Sequence, residues 1–235
     1  MNIRNFLLSF VPHSAHISLA EKLRSGLAGG IAILLLALAI HHLPQHDYPL
    51  LLLASMASST ALLFAAPHSP FSQPWNLVGG HFISALAGWI CSLLIIDPAI
   101  AGGAAVGIAI SLTYILKCLH PPSAATALAI VLNSAQFHSM GWQWGAVIVI
   151  ANVGILLLLT LLINNLVPGR RYPMPLSTHS HANIQQFVAP EKADIERALE
   201  QMDSMLDIST EDLLDIYAKA AEHARERSNL IARVV

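Results

Sequence analysis

Between Arg24 and Arg170 the chain carries three formal charges, Asp47, Asp97 and Lys117. Such a stretch cannot form the water-facing shell of a soluble domain, in which roughly a quarter of residues are charged. Over the whole chain 55% of residues are hydrophobic and 11% are charged. The charge that exists is segregated. Residues 1–190 hold six Lys or Arg and three acids, and residues 191–235 hold six Lys or Arg and eleven acids. Two materials are joined: a nearly neutral body suited to a bilayer and an acidic tail suited to water.

Six apolar elements divide the body, at about 25–43, 49–66, 76–96, 99–119, 121–132 and 142–166. A helix crosses a hydrocarbon core of about 30 Å with about 20 apolar residues. The first, third, fourth and sixth elements meet that length, and the second, at 18 residues, is borderline. The fifth, at 12 residues, covers only about 18 Å. The reading is an all-α membrane protein of six apolar helical elements, four of them clear spans. The fifth is a half-helix packed inside the protein or a re-entrant segment, because broken backbone at that depth needs protein or a water-filled cavity around it.

Lys22 and Arg24 precede the first element, and Arg170 and Arg171 follow the sixth. The positive-inside rule places both flanks on the cytoplasmic side and requires an even number of crossings. Trp75, Trp142 and Trp144 fall at element ends, where interfacial aromatics anchor. The chain also echoes itself at an offset of 66. Thr60-Ala61-Leu62 matches Thr126-Ala127-Leu128, and Gly79, Gly88 and Leu93 match Gly145, Gly154 and Leu159. With three crossings per half such a repeat is inverted in the membrane, as in many secondary transporters. With two crossings per half it is parallel.

Residues 1–22 read as a retained interfacial leader or as a disordered tail. Their apolar run, 6–11, is about half a signal-peptide core, and no small-residue cleavage motif follows. Residues 23–170 form the transmembrane domain, and the polar, proline-bearing residues 171–190 a linker. In the tail, 191–235, Ile195, Leu199, Met202 and Leu206 line one face of an amphipathic helix. Ser209 and Asp212 resemble a capping box opening a second helix through Leu213, Ile216, Tyr217 and Ala220. This hairpin packs on itself, on the body or on a second subunit, which leaves a homo-oligomer open. Cys91 and Cys118 lie outside any CxxC pattern, against a disulfide framework or zinc site.

One segment suggests a site: His120-Pro121-Pro122-Ser123-Ala124-Ala125-Thr126-Ala127-Leu128. Proline has no amide hydrogen and a fixed φ, so it opens a helix and breaks what precedes it. The two prolines end the fourth element near Leu119 and start the fifth at Pro121, leaving His120 at the break. Free amides from Ser123 onward, with the helix dipole, would favour a small anion there. Ser123 and Thr126, three apart, add hydroxyl donors on one face. Lys117 adds positive charge one turn before His120, unless it snorkels to the interface while His120 merely caps a helix; both readings stay open. Ser58-Ser59-Thr60 in the second element and Asn76 with Gly79-Gly80-His81 in the third are further candidates. Ser59 or Thr60 faces the interior, or the small residues simply pack. His81 faces a cavity or bonds a neighbouring helix. Asn152, midway along the sixth element, is expected to join helices.

Metal ligation by His41, His42, His46 and Asp47, or by His179 and His181, lacks fixed helical spacing, and we expect neither metal nor cofactor. No hydrolase, metalloprotease, P-loop or dinucleotide fingerprint is present in the sequence. An enzyme is not expected.

The chain resembles the HPP family, through His120-Pro121-Pro122 and the residues that follow to Leu128, through Ser58-Ser59-Thr60-Ala61-Leu62-Leu63-Phe64-Ala65-Ala66-Pro67, and through Gln73-Pro74-Trp75-Asn76-Leu77-Val78-Gly79-Gly80-His81. The likeness covers roughly residues 20–170. It implies a small integral membrane protein, usually of four spanning helices and at times more. Plastid and cyanobacterial relatives are linked to nitrite transport, and bacterial ones are described as candidate transporters. The expectation is a transporter or channel-like permease for a small inorganic anion, nitrite first, in a bacterial inner membrane with both termini cytoplasmic. Its path would involve His120, Pro121, Pro122, Ser123, Thr126, Ser59, Thr60, Asn76, His81 and Lys117. The partners implied are the lipid bilayer and the anion, with no nucleic acid. The competing expectation is a non-transporting scaffold or sensor presenting its acidic tail to a partner.

Overall fold

Helix boundaries follow the prolines. In the computed structural model, which describes residues 10, 17–42, 53–167, 170–174, 213–214, 216–218 and 221, seven helices are seen in residues 19–166. They are α1 (Leu19–His42), α2 (Ser55–Ala65), α3 (Pro74–Leu94), α4 (Pro98–Ile115), α5 (Ala124–Leu132), α6 (Ser134–Met140) and α7 (Trp142–Leu166). Short 3-10 turns, Pro70–Ser72 and Pro121–Ser123, precede α3 and α5. Pro74 and Pro98 stand in the first turns of α3 and α4, and the Asp97 side chain accepts from the Ala99 and Ile100 amides to cap α4. This is the N-terminal chemistry that leaves fewest orphan donors.

The expected all-α membrane architecture is found. Helices α1, α3, α4 and α7 are long and apolar enough to cross a membrane, and α2 and α5 are shorter. At 11 residues α2 rises only about 16 Å. Element four stops earlier than about 119. Lys117 adopts φ 53°, its amide donates to the Tyr114 carbonyl, and the Cys118 amide reaches back to Thr113. These are the two bonds of a Schellman cap, built on lysine where glycine is usual. Helix α6 was not expected: its seven residues are too few to display a helical period.

The chain forms two compact units, residues 22–178 and residues 1–21 with 179–235. In the second, residues 213–214, 216–218 and 221 are helical, in keeping with the expected second tail helix. Most of the leader, the linker and the first tail helix lie outside the described residues, as do His46, Asp47, His179 and His181.

Within residues 22–178, hydrogen bonds show which helix ends meet. Arg170 donates to Ser25 at 2.7 Å and to Asn164 at 3.1 Å. The Tyr172 hydroxyl donates to the Ser72 carbonyl at 2.7 Å, and the Trp75 indole reaches Leu116 at 3.4 Å. The starts of α1 and α3 and the ends of α2, α4 and α7 therefore share one end of the bundle, that of Lys117 and Arg170. Both basic flanks lie at this end, so the number of passages is even. Ser84 meets Ser123 and Gly88 meets Ala127, so α5 runs parallel to α3. Leu53 meets Asn152 and Leu63 meets Asn164, so α2 runs parallel to α7. The first half, α1–α2–α3, thus runs away, toward and away from the basic end, and the second, α4–α5–α7, runs oppositely. This long–short–long order is inverted, which decides between the two arrangements left open by the 66-residue echo.

One apolar face of α1 is buried through Ala28, Ala32, Leu36 and Ile40, against a core that includes Met56, Leu63, Phe64 and Leu156. Leu27, Ile31, Leu34 and Leu38 stay exposed, as a lipid-facing side requires. Asn152 joins elements as expected: its Oδ1 accepts the Leu53 amide at 3.0 Å. Asn152→Leu is expected to leave that buried amide without this acceptor and to lower stability by about 1–3 kcal/mol. The check is a detergent melt; an unchanged midpoint would show that water serves the amide equally well.

Candidate functional site

Two short helices alone cannot hold polar groups at depth, but packed against α3 they can satisfy one another. Ser55 and Ser59, one turn apart, lie on a common face of α2; both are buried. His81 comes from α3, His120 from the extended residue before Pro121, and Thr126 from α5. His81 and His120 are fully enclosed, at 0% exposure. Their ring centroids lie 5.3 Å apart, and Ser59 bridges them.

The bonds form one unbroken row. Ser55 Oγ lies 2.8 Å from Thr126 Oγ1, which lies 2.7 Å from His81 Nδ1. His81 Nε2 lies 2.9 Å from Ser59 Oγ, which lies 2.9 Å from His120 Nε2. His120 Nδ1 ends the row 2.8 Å from the Phe71 carbonyl. A carbonyl only accepts, so His120 carries its proton on Nδ1. With neutral rings the rest is forced: Ser59 donates to His120 Nε2, His81 Nε2–H donates to Ser59, Thr126 donates to His81 Nδ1, and Ser55 donates to Thr126. The two histidines thus hold opposite tautomers.

Around this row the backbone approaches closely. A Cβ on Gly80 would meet His120 Cβ at 2.8 Å and the Cys118 carbonyl at 3.1 Å. Only glycine lets α3 lie this near the His-Pro-Pro turn. Ser84 donates to Ser123 at 3.0 Å, and the Asn76 amide holds the Leu119 carbonyl at 2.7 Å. Asn76 and Ser84 thus pin the turn to α3 from both sides of Gly80.

Of the residues singled out from sequence, Ser59, His81, His120 and Thr126 are in the row, and Ser123 and Asn76 support it. Pro121 and Pro122 form the 3-10 turn that aims His120 inward. Thr60 is buried but outside the row, and its hydroxyl has no hydrogen-bond partner among the described residues. Its methyl faces Gly29 of α1. Lys117 is exposed and contributes to the cap of α4, not to the row. The expected free amides are also absent from Ser123 and Ala124. Ser123 N–H is taken by the His120 carbonyl at 2.8 Å and Ala124 N–H by Pro121 and Pro122. The 3-10 turn consumes these donors, and the prolines have none. Sequence reasoning missed Ser55, Ser84 and the Phe71 carbonyl. Ser55 precedes Ser59 by one turn and Ser84 follows His81 by three residues, so extending each helical face would have found both.

The row lines no part of the apolar groove of about 330 Å³ between α3, α5 and α7, which is bounded by Phe82, Leu86, Trp89, Ile130 and Trp142.

Comparison with known proteins adds the following. The profile described as the HPP transmembrane region matches residues 14–173. Two transmembrane proteins of Dictyostelium discoideum are similar. One is 37% identical over 154 residues, 64% of this chain and 49% of the relative. The other is 35% identical over 153 residues, 63% of this chain and 53% of the relative. The chain spans about half the length of these curated relatives. No solved structure matches.

Proposed function

We propose, from the premise that the chain belongs to the HPP transmembrane family, that it is a permease for a small inorganic anion, with nitrite the leading candidate. The observation that carries the reading is the meeting of two short helices, α2 and α5, from oppositely directed halves at a buried polar row. Many secondary transporters bind substrate at discontinuous helices between inverted repeats. Elsewhere in an apolar body, buried hydroxyls and imidazoles bring cost without benefit.

In this reading His120 lines the path, and the hydroxyls of Ser59, Ser123 and Thr126 replace part of the anion's water. Thr60, whose hydroxyl lacks a partner among the described residues, supplies a further donor. His81 orients Ser59 and Thr126, Asn76 and the two prolines hold the turn, and Lys117 draws anions toward the basic end. The groups present bind and orient; the reading assigns no bond-making chemistry and no enzyme. The proposed setting is a bacterial inner membrane, with the basic end and both termini cytoplasmic.

The test is nitrite flux into proteoliposomes at mildly alkaline pH, where the anion does not cross lipid as its acid. Saturable flux is expected from the purified protein and none from His120→Ala that is inserted and folded. Wild-type flux in that variant would remove His120 from the path. Flux no greater than that of empty liposomes would remove nitrite.

A further inference from the structure

We infer that the row Ser55–Thr126–His81–Ser59–His120 is a proton relay and that the proton is the ion coupled to anion movement; this rests on the permease reading above. Charge is the first reason. Of the cations among the described residues, Lys22, Arg24, Lys117 and Arg171 are exposed, and Arg170 bonds Asn164 and Ser25. The titratable groups packed about the row are the two imidazoles, the Cys118 thiol against Gly79, and the Tyr172 hydroxyl, which donates to Ser72 beside the Phe71 turn. An anion placed here meets only neutral dipoles, and an uncompensated charge in so apolar a body is strongly disfavoured. A proton delivered to His120 supplies the missing charge as the anion arrives.

Geometry is the second reason. Every link is 2.7–2.9 Å, and the Phe71 carbonyl gives all donors one sense. The transfer balances. Ser55 Oγ, at the end of the row away from His120, takes a proton and passes its own to Thr126, which passes its own to His81 Nδ1. His81 releases its Nε2 proton to Ser59, and Ser59 releases its own to His120 Nε2. Five bonds to hydrogen form and four break, one proton has entered, and His120 is an imidazolium. When the anion leaves with that proton, hydroxyl rotation and a flip of the His81 ring restore the starting sense. Ser55 stands beside exposed Ala54, whereas His120 is held at the basic end, so the relay connects different levels of the bundle.

The experiment records nitrite flux and internal pH together in dye-loaded proteoliposomes, under a potassium diffusion potential and, separately, a pH gradient. Wild-type flux is expected to follow the pH gradient, ignore the potential, and carry one proton per anion above the empty-liposome background. Ser55→Ala removes the head of the relay and no group of the anion cage. It is expected to cut pH-driven flux about tenfold or more, and Ser55→Thr to restore it. If Ser55→Ala does not fold, His81→Gln cuts the same row at a residue outside the anion cage. Flux driven by the potential without a dye response, or pH-driven flux surviving both cuts, overturns the relay and leaves the permease standing. No saturable flux under either force overturns both.

Discussion

Gly88→Ala is expected to be the most damaging added methyl in the membrane body. A Cβ at this position would lie 2.5 Å from the Ala127 carbonyl oxygen, and 3.0 and 3.1 Å from its Cα and carbonyl carbon. These are backbone atoms of α5, so no rotamer change relieves the overlap. Helices α3 and α5 must part, and in lipid their association depends on this close packing because hydrophobic burial gives little preference between helix and acyl chain. The loss should reach the upper part of the overpacking range, about 3 kcal/mol, which lowers a melting midpoint by about 6–12 °C for a chain of this size. Tryptophan fluorescence during a detergent melt checks it. Gly154→Ala is the control: no atom lies within 4 Å of its added Cβ. There the methyl should be neutral or add up to about 1 kcal/mol through helix propensity. Equal melting of the two variants would contradict the close crossing at Ala127.

Under the proposed permease function, Gly80→Ala is expected to abolish nitrite flux by a different route. Its Cβ would crowd His120 Cβ at 2.8 Å, the Cys118 carbonyl at 3.1 Å and Ser123 Oγ at 3.2 Å. The His-Pro-Pro turn must then move off α3. The His120–Ser59 link stands at 2.9 Å and the Ser84–Ser123 bond at 3.0 Å, and a hydrogen bond fails by about 3.5 Å. A shift of about half an ångström therefore opens the row between α2 and the turn. The main hydrophobic core joins residues of α1, α2, α5, α6 and α7 with Leu77 of α3, and Gly80 is not among them, so the protein should insert and fold, with about 1–3 kcal/mol lost. Flux and a melting curve measured on the same preparation separate the two effects. A folded Gly80→Ala protein with wild-type flux would show that the turn can move without harm to the path.

Much of the architecture was legible because it depends on local rules. Four spans followed from apolar length, and the breaks at Pro98 and Pro121 from proline's missing donor. The fifth element's failure to span already marked it as a half-helix packed inside the protein or a re-entrant segment. The position of His120 at a helix break was equally local. The end of α4 was misjudged by a few residues because Lys117, an ordinary helix former, occupies a left-handed cap position normally filled by glycine. Nothing in its neighbours announces that conformation.

The site divided along the same line. Thr60 and Thr126 occupy matching places in the 66-residue echo, yet Thr126 joins two hydrogen bonds of the row and Thr60 has none among the described residues. Gly88 and Gly154 also match, yet one abuts a backbone carbonyl and the other open space. The second half reuses the order of elements while its side chains meet other neighbours.

By itself, then, the sequence determined the material of this protein, the lengths of its helices, their proline-set boundaries and the break that carries His120. Each depends on residues within a few positions of one another. The tertiary structure alone decided that the halves run oppositely, that Lys117 faces out while His81 faces in, and that Ser55 meets Thr126 across 71 residues of chain. Such a pairing exists only where two helices approach within hydrogen-bond reach, and the approach is set by glycines and backbone carbonyls far apart in sequence.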